Sequence, residues 1–335
     1  MEADILSLLL STPTNPLSNV SAKSTAAPIS VHKKEMTRND ELERSLRHNE
    51  RSLTFAPLTS SGIQLVRTIG TGQVCETFEG VLISSNMPVA VKKPLVACHG
   101  ADSVAKYSQL WKQELTLMEL IGQHPNICTF VGSSHVNDSC DSMLLCYEYL
   151  SGGCLSDIVL DTSRLINPLK VAYEVSKGMQ HLHFLDIMHR DLKSANIILD
   201  SRGCAKIADF GLSCQISRGS EMTAETGTYR WMAPEVIRHE QYSLAADVYS
   251  FGILLWELFA RSRPFDDLTP VQAAYRVALH HLRPAIPGTM PPLVAHLQEQ
   301  LWHRDAAARP TFDAICVTLN ALMLDTSQCK SLPSI

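Results

Sequence analysis

The chain has 335 residues, of which 45% are hydrophobic and 19% are charged, a composition that suits a folded domain with a sizeable core. Its formal net charge of -5 gives no reason to expect nucleic acid or an anionic membrane surface as a partner. The 10 cysteines include no C-x-x-C pair, which argues against a disulfide framework or a zinc site and indicates reduced thiols in the cytoplasm or the nucleus.

Residues 1–60 are predicted to be a disordered tail. They are rich in Ser, Thr, Pro and Asn and then in charged residues, and such a composition buries too little apolar surface to order the backbone. The short apolar run Ile5–Leu10 follows two acidic residues, which favours a sticky or helical tail over a targeting sequence. The folded domain is predicted to span 61–324, with a second short tail at 325–335.

The folded domain begins with strand-like segments and continues with helices. Alternating apolar residues predict strands at Ile63–Val66, Thr77–Val81, Val89–Val91, Thr129–His135 and Met143–Tyr149. Apolar residues at three-and-four spacing predict helices at Ser108–Ile121, Asn167–Leu185, Ser243–Phe259, Thr269–Leu279, Pro292–Leu301 and Thr311–Met323. The sequence therefore predicts an α+β fold, in which a small, mostly β lobe at 61–150 precedes a larger, mostly α lobe at 151–324.

Two glycines and a lysine in the β lobe have the chemistry of a phosphate site. Gly70 and Gly72 lie between two strands, where backbone N–H groups can approach phosphate oxygens closely, although such a pair is more often a tight turn. Lys92 ends an apolar strand, and an inward-facing ammonium there would need phosphate or the carboxylate of Glu114 as a partner. The alternative is a surface lysine that extends its amine into water.

The segment His189–Asn196 carries the most specific motif of the chain. In it, Asp191 can accept or orient a hydroxyl proton, Lys193 can neutralise a transferred phosphoryl group, and Asn196 offers an amide oxygen to Mg²⁺. Asp209 begins a D-F-G sequence downstream and offers Mg²⁺ a carboxylate. Phosphoryl transfer requires that the phosphates are held, that metal ions are placed beside them and that the acceptor hydroxyl is oriented.

These motifs, together with Gly227–Glu235 and Asp247–Gly252, resemble those of eukaryotic protein kinases from about Ile63 to Met323. They are most similar to the tyrosine-kinase-like group of Ser/Thr kinases, which includes the Raf-like and mixed-lineage kinases. The resemblance implies the bilobal protein kinase fold, with ATP and Mg²⁺ bound in the site and protein hydroxyls as acceptors.

The resemblance also implies how the nucleotide is held. Tyr147 falls at the gatekeeper position, where a bulky side chain closes the pocket behind the nucleotide. The segment from Glu148 to Leu150 is then the hinge whose backbone pairs with adenine, and Ala90 and Leu199 sandwich the adenine ring.

Structural roles follow from the same resemblance. Glu235 is expected to pair with Arg309 in a buried bridge, and Asp247 to hydrogen-bond the backbone of the loop that contains Asp191. Phe210 is expected to pack under the helix of Glu114.

The acceptor specificity rests on two residues. Lys193, two residues after Asp191, and Thr228 occupy positions typical of Ser/Thr kinases in this resemblance. The segment Tyr229–Trp231 is closer to tyrosine kinases, so a tyrosine or dual-specificity kinase remains an alternative.

The glycine-rich loop departs from the family pattern G-x-G-x-x-G-x-V, because Cys75 replaces the third glycine and Thr77 replaces the valine. We expect weaker ATP binding from this change, and a pseudokinase scaffold is the alternative function. The thiol of Cys75 is either reactive, with a pKa lowered by Lys92, or an inert small substitute.

Four hydroxyl residues between Asp209 and Glu235 are candidate phosphorylation sites, whose phosphates would pair with Arg190. They are Ser217, Ser220, Thr223 and Thr226. The expected partners are therefore protein substrates with Ser or Thr acceptors and an upstream activating kinase, with no nucleic acid and no membrane span. A cytoplasmic signalling enzyme is expected, and a nuclear location is the alternative.

Other histidines and tryptophans are expected to be structural. His181, His183, His280 and His281 lack metal-ligand partners at suitable spacing. Trp256 lies on a predicted helix and Trp302 directly follows one, and both are expected in the core.

Overall fold

The computed structural model of the chain describes residues 58–72, 75–95, 101–134, 144–216 and 227–329. Its first region contains strands β1 (Ile63–Thr71), β2 (Cys75–Leu82), β3 (Met87–Pro94), β4 (Phe130–Ser134) and β5 (Leu144–Glu148), and helix α1 (Ala101–Ile121). The strands form one antiparallel sheet in the order β1-β2-β3-β5-β4.

The two faces of this sheet carry different side chains, because successive residues of a strand point to opposite sides. Alternate residues of β3 and β5 belong to one buried apolar cluster, namely Val89, Val91, Leu144 and Cys146. The intervening residues of these two strands project to the other face of the sheet. Hydrogen bonds connect this face to α1. These residues are Ala90, Lys92, Leu145 and Tyr147.

The second region is mostly helical. Its helices are α2 (Leu155–Leu160), α3 (Pro168–Phe184), α4 (Pro234–Ile237), α5 (Ala245–Ala260), α6 (Pro270–His280), α7 (Pro292–Leu301) and α8 (Phe312–Cys329). Short strands β6 (Gly153–Cys154), β8 (Ile197–Leu199) and β9 (Ala205–Ile207) form one small sheet, and β7 (Ile187–Met188) pairs with β10 (Cys214–Gln215).

Helix α5 is the centre of the helical region. Every residue from Ala246 to Leu258 is buried, as expected for a helix that is apolar on all sides. Two polar residues of this helix, Asp247 and Glu257, are buried with the rest and need hydrogen-bond partners. Those partners come from the loops of the candidate site, so hydrogen bonds to α5 hold these loops in place.

The predicted α+β architecture is confirmed, and most predicted elements agree with the structure to within two residues. Strand β1 continues past its predicted end at Val66 to Thr71, and β3 continues past Val91 to Pro94.

Helix α1 is a further exception, because it begins at Ala101 and not at Ser108. Residues 101–107 contain neither Gly nor Pro, so nothing in them interrupts the helix. Helix α8 likewise continues past the predicted end at Met323, through a segment without a stop residue, to Cys329.

None of the helices in the described part of the chain combines the length and the apolar character that crossing a bilayer requires.

Candidate active site

Lys92 and Glu114 form an ion pair between the sheet and helix α1. Because Val89 and Val91 face the apolar cluster, Lys92 on the same strand faces α1. Its Nζ donates to Glu114 Oε1 and to Oε2, both at 2.9 Å. The predicted pairing is confirmed, and the alternative of a surface lysine is wrong.

Asp209 is the third member of this charged group. Lys92 Nζ also donates to Asp209 Oδ1 at 2.9 Å. Burial alone would lower the pKa of Lys92, but the two carboxylates outweigh it and raise that pKa. The charge of Lys92 lowers the pKa of Asp209 to about 2, although burial opposes the change. At neutral pH the group therefore holds one ammonium between two carboxylates.

Backbone geometry after β9 aims Asp209 into the site. Asp209 has a left-handed φ of 62°, and Gly211 follows two residues later. A Cβ on Gly211 would lie 3.2 Å from Lys92 Nζ and 3.4 Å from the nearest oxygens of Asp209 and Glu114. A larger residue would therefore crowd the charged group, which explains the glycine at this position. Phe210 is buried and lies against His189, with ring centroids 5.3 Å apart.

Asp191, Lys193 and Thr228 form a closed hydrogen-bonded ring. Lys193 Nζ donates to Asp191 Oδ2 and to Thr228 Oγ1, each at 2.6 Å. Thr228 Oγ1 in turn donates to Asp191 Oδ1 at 2.7 Å. Thr228 therefore hydrogen-bonds both Asp191 and Lys193. Both oxygens of the Asp191 carboxylate have a defined orientation as a result.

The loop at 189–196 is anchored on helix α5. Asp247 accepts hydrogen bonds from the backbone N–H of His189 at 2.9 Å and of Arg190 at 3.0 Å, as predicted. His183 Nε2 lies 3.0 Å from the same carboxylate. Burial would raise the pKa of Asp247, but these partners lower it, so the carboxylate stays charged as an acceptor. Arg190 takes a left-handed φ of 68°, which turns the loop toward Asp191.

Asn196 and Asp209 lie next to each other in the site, and each has a side-chain oxygen that could bind a cation. Asn196 Nδ2 donates to the carbonyl oxygen of Asp191 at 2.8 Å, so Oδ1 is the atom of Asn196 that could ligate a cation. The N–H of Ala208 donates to the carbonyl oxygen of Asn196 at 2.8 Å, which places Asp209 beside Asn196. An amide oxygen and a carboxylate fit a hard divalent cation.

The described residues contain no group of three or more His, Cys, Asp or Glu side chains that could hold a metal ion by themselves. A cation at Asn196 and Asp209 would therefore need further oxygens from water or phosphate. Such a partial protein shell is the usual binding mode of Mg²⁺.

The predicted hinge follows β5. The carboxylate of Glu148 accepts from Lys206 Nζ and from the N–H of Thr129, each at 2.7 Å. Burial would raise the pKa of Glu148, but these hydrogen bonds lower it. The side chain of Glu148 thus ties the hinge to β9.

Ala90 lies on the same face of β3 as Lys92, and Leu199 is buried on β8. The N–H of Gly152 donates to the carbonyl oxygen of Leu199 at 2.9 Å, which ties the segment after Leu150 to β8. A Cβ on Gly152 would lie 2.3 Å from the carbonyl oxygen of Asp200, so only glycine permits this approach. The roles of Ala90, Leu150 and Leu199 toward adenine stay predictions.

The glycine-rich loop includes the end of β1, where Gly70 pairs with Thr77 of β2. The prediction that Gly70 lies between the strands is therefore wrong, whereas Gly72 does follow β1. Gly70 and Gly72 are exposed, and the N–H of Gly72 donates to the carbonyl oxygen of Cys75 at 2.8 Å. Burial raises the pKa of the Cys75 thiol, and the nearby charge of Lys92 only partly opposes it. Of the two alternatives for Cys75, the reactive thiol with a lowered pKa is therefore wrong, because desolvation disfavours the thiolate more than Lys92 favours it, and the inert small substitute agrees with the structure.

The segment after residue 227 is attached to the helical region by several contacts. Arg309 Nη1 and Nη2 donate to the two oxygens of Glu235 at 2.6 and 2.8 Å, which confirms the predicted buried bridge. Arg230 donates to the carbonyl oxygens of Pro264, Phe265 and Leu268. The four candidate phosphorylation sites lie outside the described residues.

Glu257 is a buried carboxyl that sequence reasoning missed. Its oxygens accept from Ser194 Oγ at 2.7 Å and from Trp231 Nε1 at 2.7 Å. It thereby links the loop of Asp191 to the segment after residue 227. Burial raises the pKa of Glu257 to about 7, although these hydrogen bonds oppose the rise. A charged residue within the apolar pattern of the predicted helix was the available signal.

The remaining expectations concern side chains outside the site. His181 Nε2 lies 2.9 Å from the carbonyl oxygen of Ile121, so its role is structural, like that of His183. His280 and His281 are exposed, and Trp256 and Trp302 are buried, as expected.

Comparison with known proteins decides the family. The family model described as protein tyrosine and serine/threonine kinase matches residues 63–319, which is more than half of the chain. The chain is a protein kinase. It belongs to the tyrosine-kinase-like group, as its motifs indicated. ATP and a divalent cation as ligands are implied by membership of this family.

Several curated relatives are similar to this kinase. It is 37% identical over 264 residues to the serine/threonine-protein kinase STY17 of Arabidopsis thaliana, which covers 78% of the chain and 45% of that protein. It is 38% identical over 236 residues to the serine/threonine/tyrosine-protein kinase HT1 of the same plant, covering 69% and 59%. The dual specificity protein kinase pyk3 of Dictyostelium discoideum is 30% identical over 300 residues, covering 86% and 21%. The kinase thus spans about half the length of STY17.

Proposed function

We propose that the kinase transfers the γ-phosphoryl group of Mg-ATP to Ser or Thr hydroxyls of protein substrates. The ring formed by Asp191, Lys193 and Thr228 carries this proposal. A carboxylate whose two oxygens are oriented by an ammonium and a hydroxyl can accept or direct the proton of an incoming hydroxyl. Lys193 can then neutralise negative charge on the group in transfer.

Each predicted site residue has a role in this mechanism. Lys92, positioned by Glu114, binds phosphate oxygens, and the loop containing Gly70 and Gly72 covers the phosphates with backbone N–H groups. Asn196 and Asp209 hold Mg²⁺, which neutralises phosphate charge when it is bound.

The adenine ring lies between Ala90 and Leu199 in this proposal. It pairs with the backbone of Glu148 and Leu150. The side chain of Glu148, held by Lys206 and Thr129, fixes the position of that backbone.

In this proposal the kinase domain spans 61–324 and consists of two lobes, at 61–150 and 151–324. Two tails flank the domain, at 1–60 and 325–335. We further propose an intracellular signalling role, in the cytoplasm and with an upstream activating kinase. Seven of the described cysteines are free thiols, in keeping with a reducing compartment.

Incubation of the full chain with Mg-ATP and a generic protein substrate tests the proposal. We expect phosphate on Ser or Thr, and Asp191→Asn should reduce transfer by about 10²–10⁴-fold, because the substitution removes the carboxylate that accepts or directs the proton of the reacting hydroxyl. Asp313→Asn on helix α8 makes the same change of charge away from the site and should leave transfer unchanged. Transfer that survives Asp191→Asn would contradict the proposal.

Dual specificity is the second candidate function, because HT1 and pyk3 carry names that include tyrosine or dual-specificity activity. Phosphoamino-acid analysis of the labelled substrate separates the two candidates. Phosphotyrosine would retain the mechanism and replace the acceptor. No transfer from the wild-type chain, even after treatment with an upstream kinase, would favour the pseudokinase scaffold, with Cys75 and Thr77 as the responsible residues.

A further inference from the structure

Tyr147 makes a contact that the gatekeeper role does not require. It lies on the face of β5 opposite the apolar cluster, between Ala90 of β3 and Phe130 of β4 in the sheet register. Its ring packs edge-on against Phe130, with centroids 5.5 Å apart, and the residue is buried. Its hydroxyl Oη donates to Glu114 Oε1 at 2.7 Å. The side chain therefore reaches from the central sheet to helix α1.

Glu114 thus has two independent donors. One is Lys92, which donates to both carboxylate oxygens, and the other is the Tyr147 hydroxyl. The ammonium of Lys92 has three N–H donors, and these are directed at Glu114 Oε1, Glu114 Oε2 and Asp209 Oδ1. A phosphate that binds Lys92 must therefore take a donor from one of these carboxylates.

The Tyr147 hydroxyl, in contrast, does not have to give up its hydrogen bond when phosphate binds. The side chain is buried on the face of the sheet toward α1, and its hydroxyl donates to Glu114. Loss of its partner would leave a buried hydroxyl unpaired, which is unfavourable. Burial and the neighbouring charge of Glu114 raise the pKa of Tyr147 well above its ordinary value. The phenol therefore keeps its proton, and with it the ability to donate, across the physiological pH range.

We propose that Tyr147 is a positioning residue, whose hydroxyl holds Glu114, and with it helix α1, in the productive orientation while Lys92 engages the nucleotide. The proposal rests on the proposed kinase function and deepens it. In this kinase one side chain closes the space behind the nucleotide and also fixes the carboxylate that orients Lys92.

The variant Tyr147→Phe tests this role, because it removes one oxygen and leaves the ring in place. We expect kcat to fall about tenfold, as is reasonable for losing a hydrogen bond to a charged group. The KM for the protein substrate should stay unchanged, and amide hydrogen exchange in residues 109–121 of α1 should become faster. Tyr147→Met, which is also apolar and lacks the hydroxyl, should show the same two effects.

Tyr249→Phe is the matched control. Tyr249 is a fully buried tyrosine of helix α5 whose hydroxyl has no hydrogen-bond partner among the described residues. Removal of this hydroxyl should leave kcat and the exchange of α1 unchanged. Both variants thus delete the hydroxyl oxygen of a buried tyrosine, but only the hydroxyl of Tyr147 contacts Glu114.

A double-mutant cycle with Glu114→Ala isolates the contact. In that background, Tyr147→Phe should cause no further loss of kcat and no further rise in exchange. Equal losses in both backgrounds would overturn the proposal, and so would a lower unfolding midpoint of Tyr147→Phe with unchanged kcat and exchange. If the wild-type chain transfers no phosphate, the proposed function fails, and the exchange of α1 in Tyr147→Phe alone decides the positioning role.

Discussion

Two ion pairs in the kinase have similar chemistry and different surroundings. The pair of Arg309 with Glu235 has side chains that are 0% and 8% exposed, and its guanidinium also donates to the carbonyl oxygens of His303 and Ala245. The pair of Lys92 with Glu114 has side chains that are 12% and 5% exposed. It is continuous with Asp209, whose side chain is 53% exposed.

The difference shows which pair is structural and which can act on a ligand. The protein itself supplies several acceptors for Arg309, so this pair holds a segment in place. Lys92 instead shares its donors with a half-exposed carboxylate, so an incoming phosphate or cation can exchange with these contacts. Changes to the first pair should therefore act on stability, and changes to the second on phosphate transfer.

The largest expected effect follows from Arg309→Met. The substitution leaves the Glu235 carboxylate buried without a partner, and the free energy of unfolding should fall by about 3–5 kcal/mol. Denaturant titration measures the change. Arg263→Met, which breaks an exposed pair with Asp266 at 3.6 Å, should change it by less than about 1 kcal/mol. A similar loss in both variants would contradict the structural role of the Arg309 pair.

Lys92→Met should act in the opposite way. We expect phosphate transfer to fall by about 10²–10³-fold, because the charge that stabilises the phosphates is lost. The unfolding midpoint should fall less than in Arg309→Met, since the buried Glu114 keeps its hydrogen bond from Tyr147 and the side chain of Asp209 is half exposed. Lys170→Met on the surface of α3 serves as the control and should leave transfer unchanged. Unfolding of Lys92→Met at ordinary temperature would remove the distinction between the two pairs.

Glu257 differs from both ion pairs. Its carboxyl is buried, and no cationic side chain donates a hydrogen bond to it among the described contacts. Its pKa of about 7 lies above the ordinary value of 4.5, so the folded state binds the proton more tightly. The resulting stability is fully present below about pH 4.5 and is lost as the pH rises through 7. The loss amounts to about 3 kcal/mol.

Glu257→Gln removes this titration. The amide can accept from Trp231 and donate to Ser194, so its fit is retained. The variant should gain stability relative to the wild type as the pH rises from 5 to 8, measured by denaturant titration at each pH. A constant difference between the two proteins over that range would show that the carboxyl has no raised pKa.

The smallest expected effect concerns Thr228. Thr228→Val keeps the shape of the side chain and removes the hydroxyl that bridges Asp191 and Lys193, so kcat should fall about tenfold or somewhat more. Thr228→Ser restores a hydroxyl and should recover most of the rate. Thr318→Val on helix α8 is the control. Equal rates for Thr228→Val and the wild type would show that the hydroxyl does not orient Asp191 for catalysis.

Much of the site was predictable because its chemistry lies in short motifs. Lys92, Asp191 and Asp209 each occur in a local pattern, and the order of strands and helices follows from apolar periodicity. The start of α1 was not predictable, because a helix can extend through any segment without a breaker. The sequence left two alternatives open for Cys75, because the burial that raises its pKa depends on the packed structure and not on neighbouring sequence.

The sequence by itself determined the fold class, the family and the residue types of the phosphate, metal and proton-accepting positions. Tertiary structure decided which of these groups share partners. Tyr147 and Glu114 are 33 positions apart, and Ser194 and Glu257 are 63 apart, yet each pair is joined by a hydrogen bond of 2.7 Å. Such contacts depend on how a strand packs on a helix or a loop on a buried helix, and periodicity specifies the buried face of each element but not the partner across it.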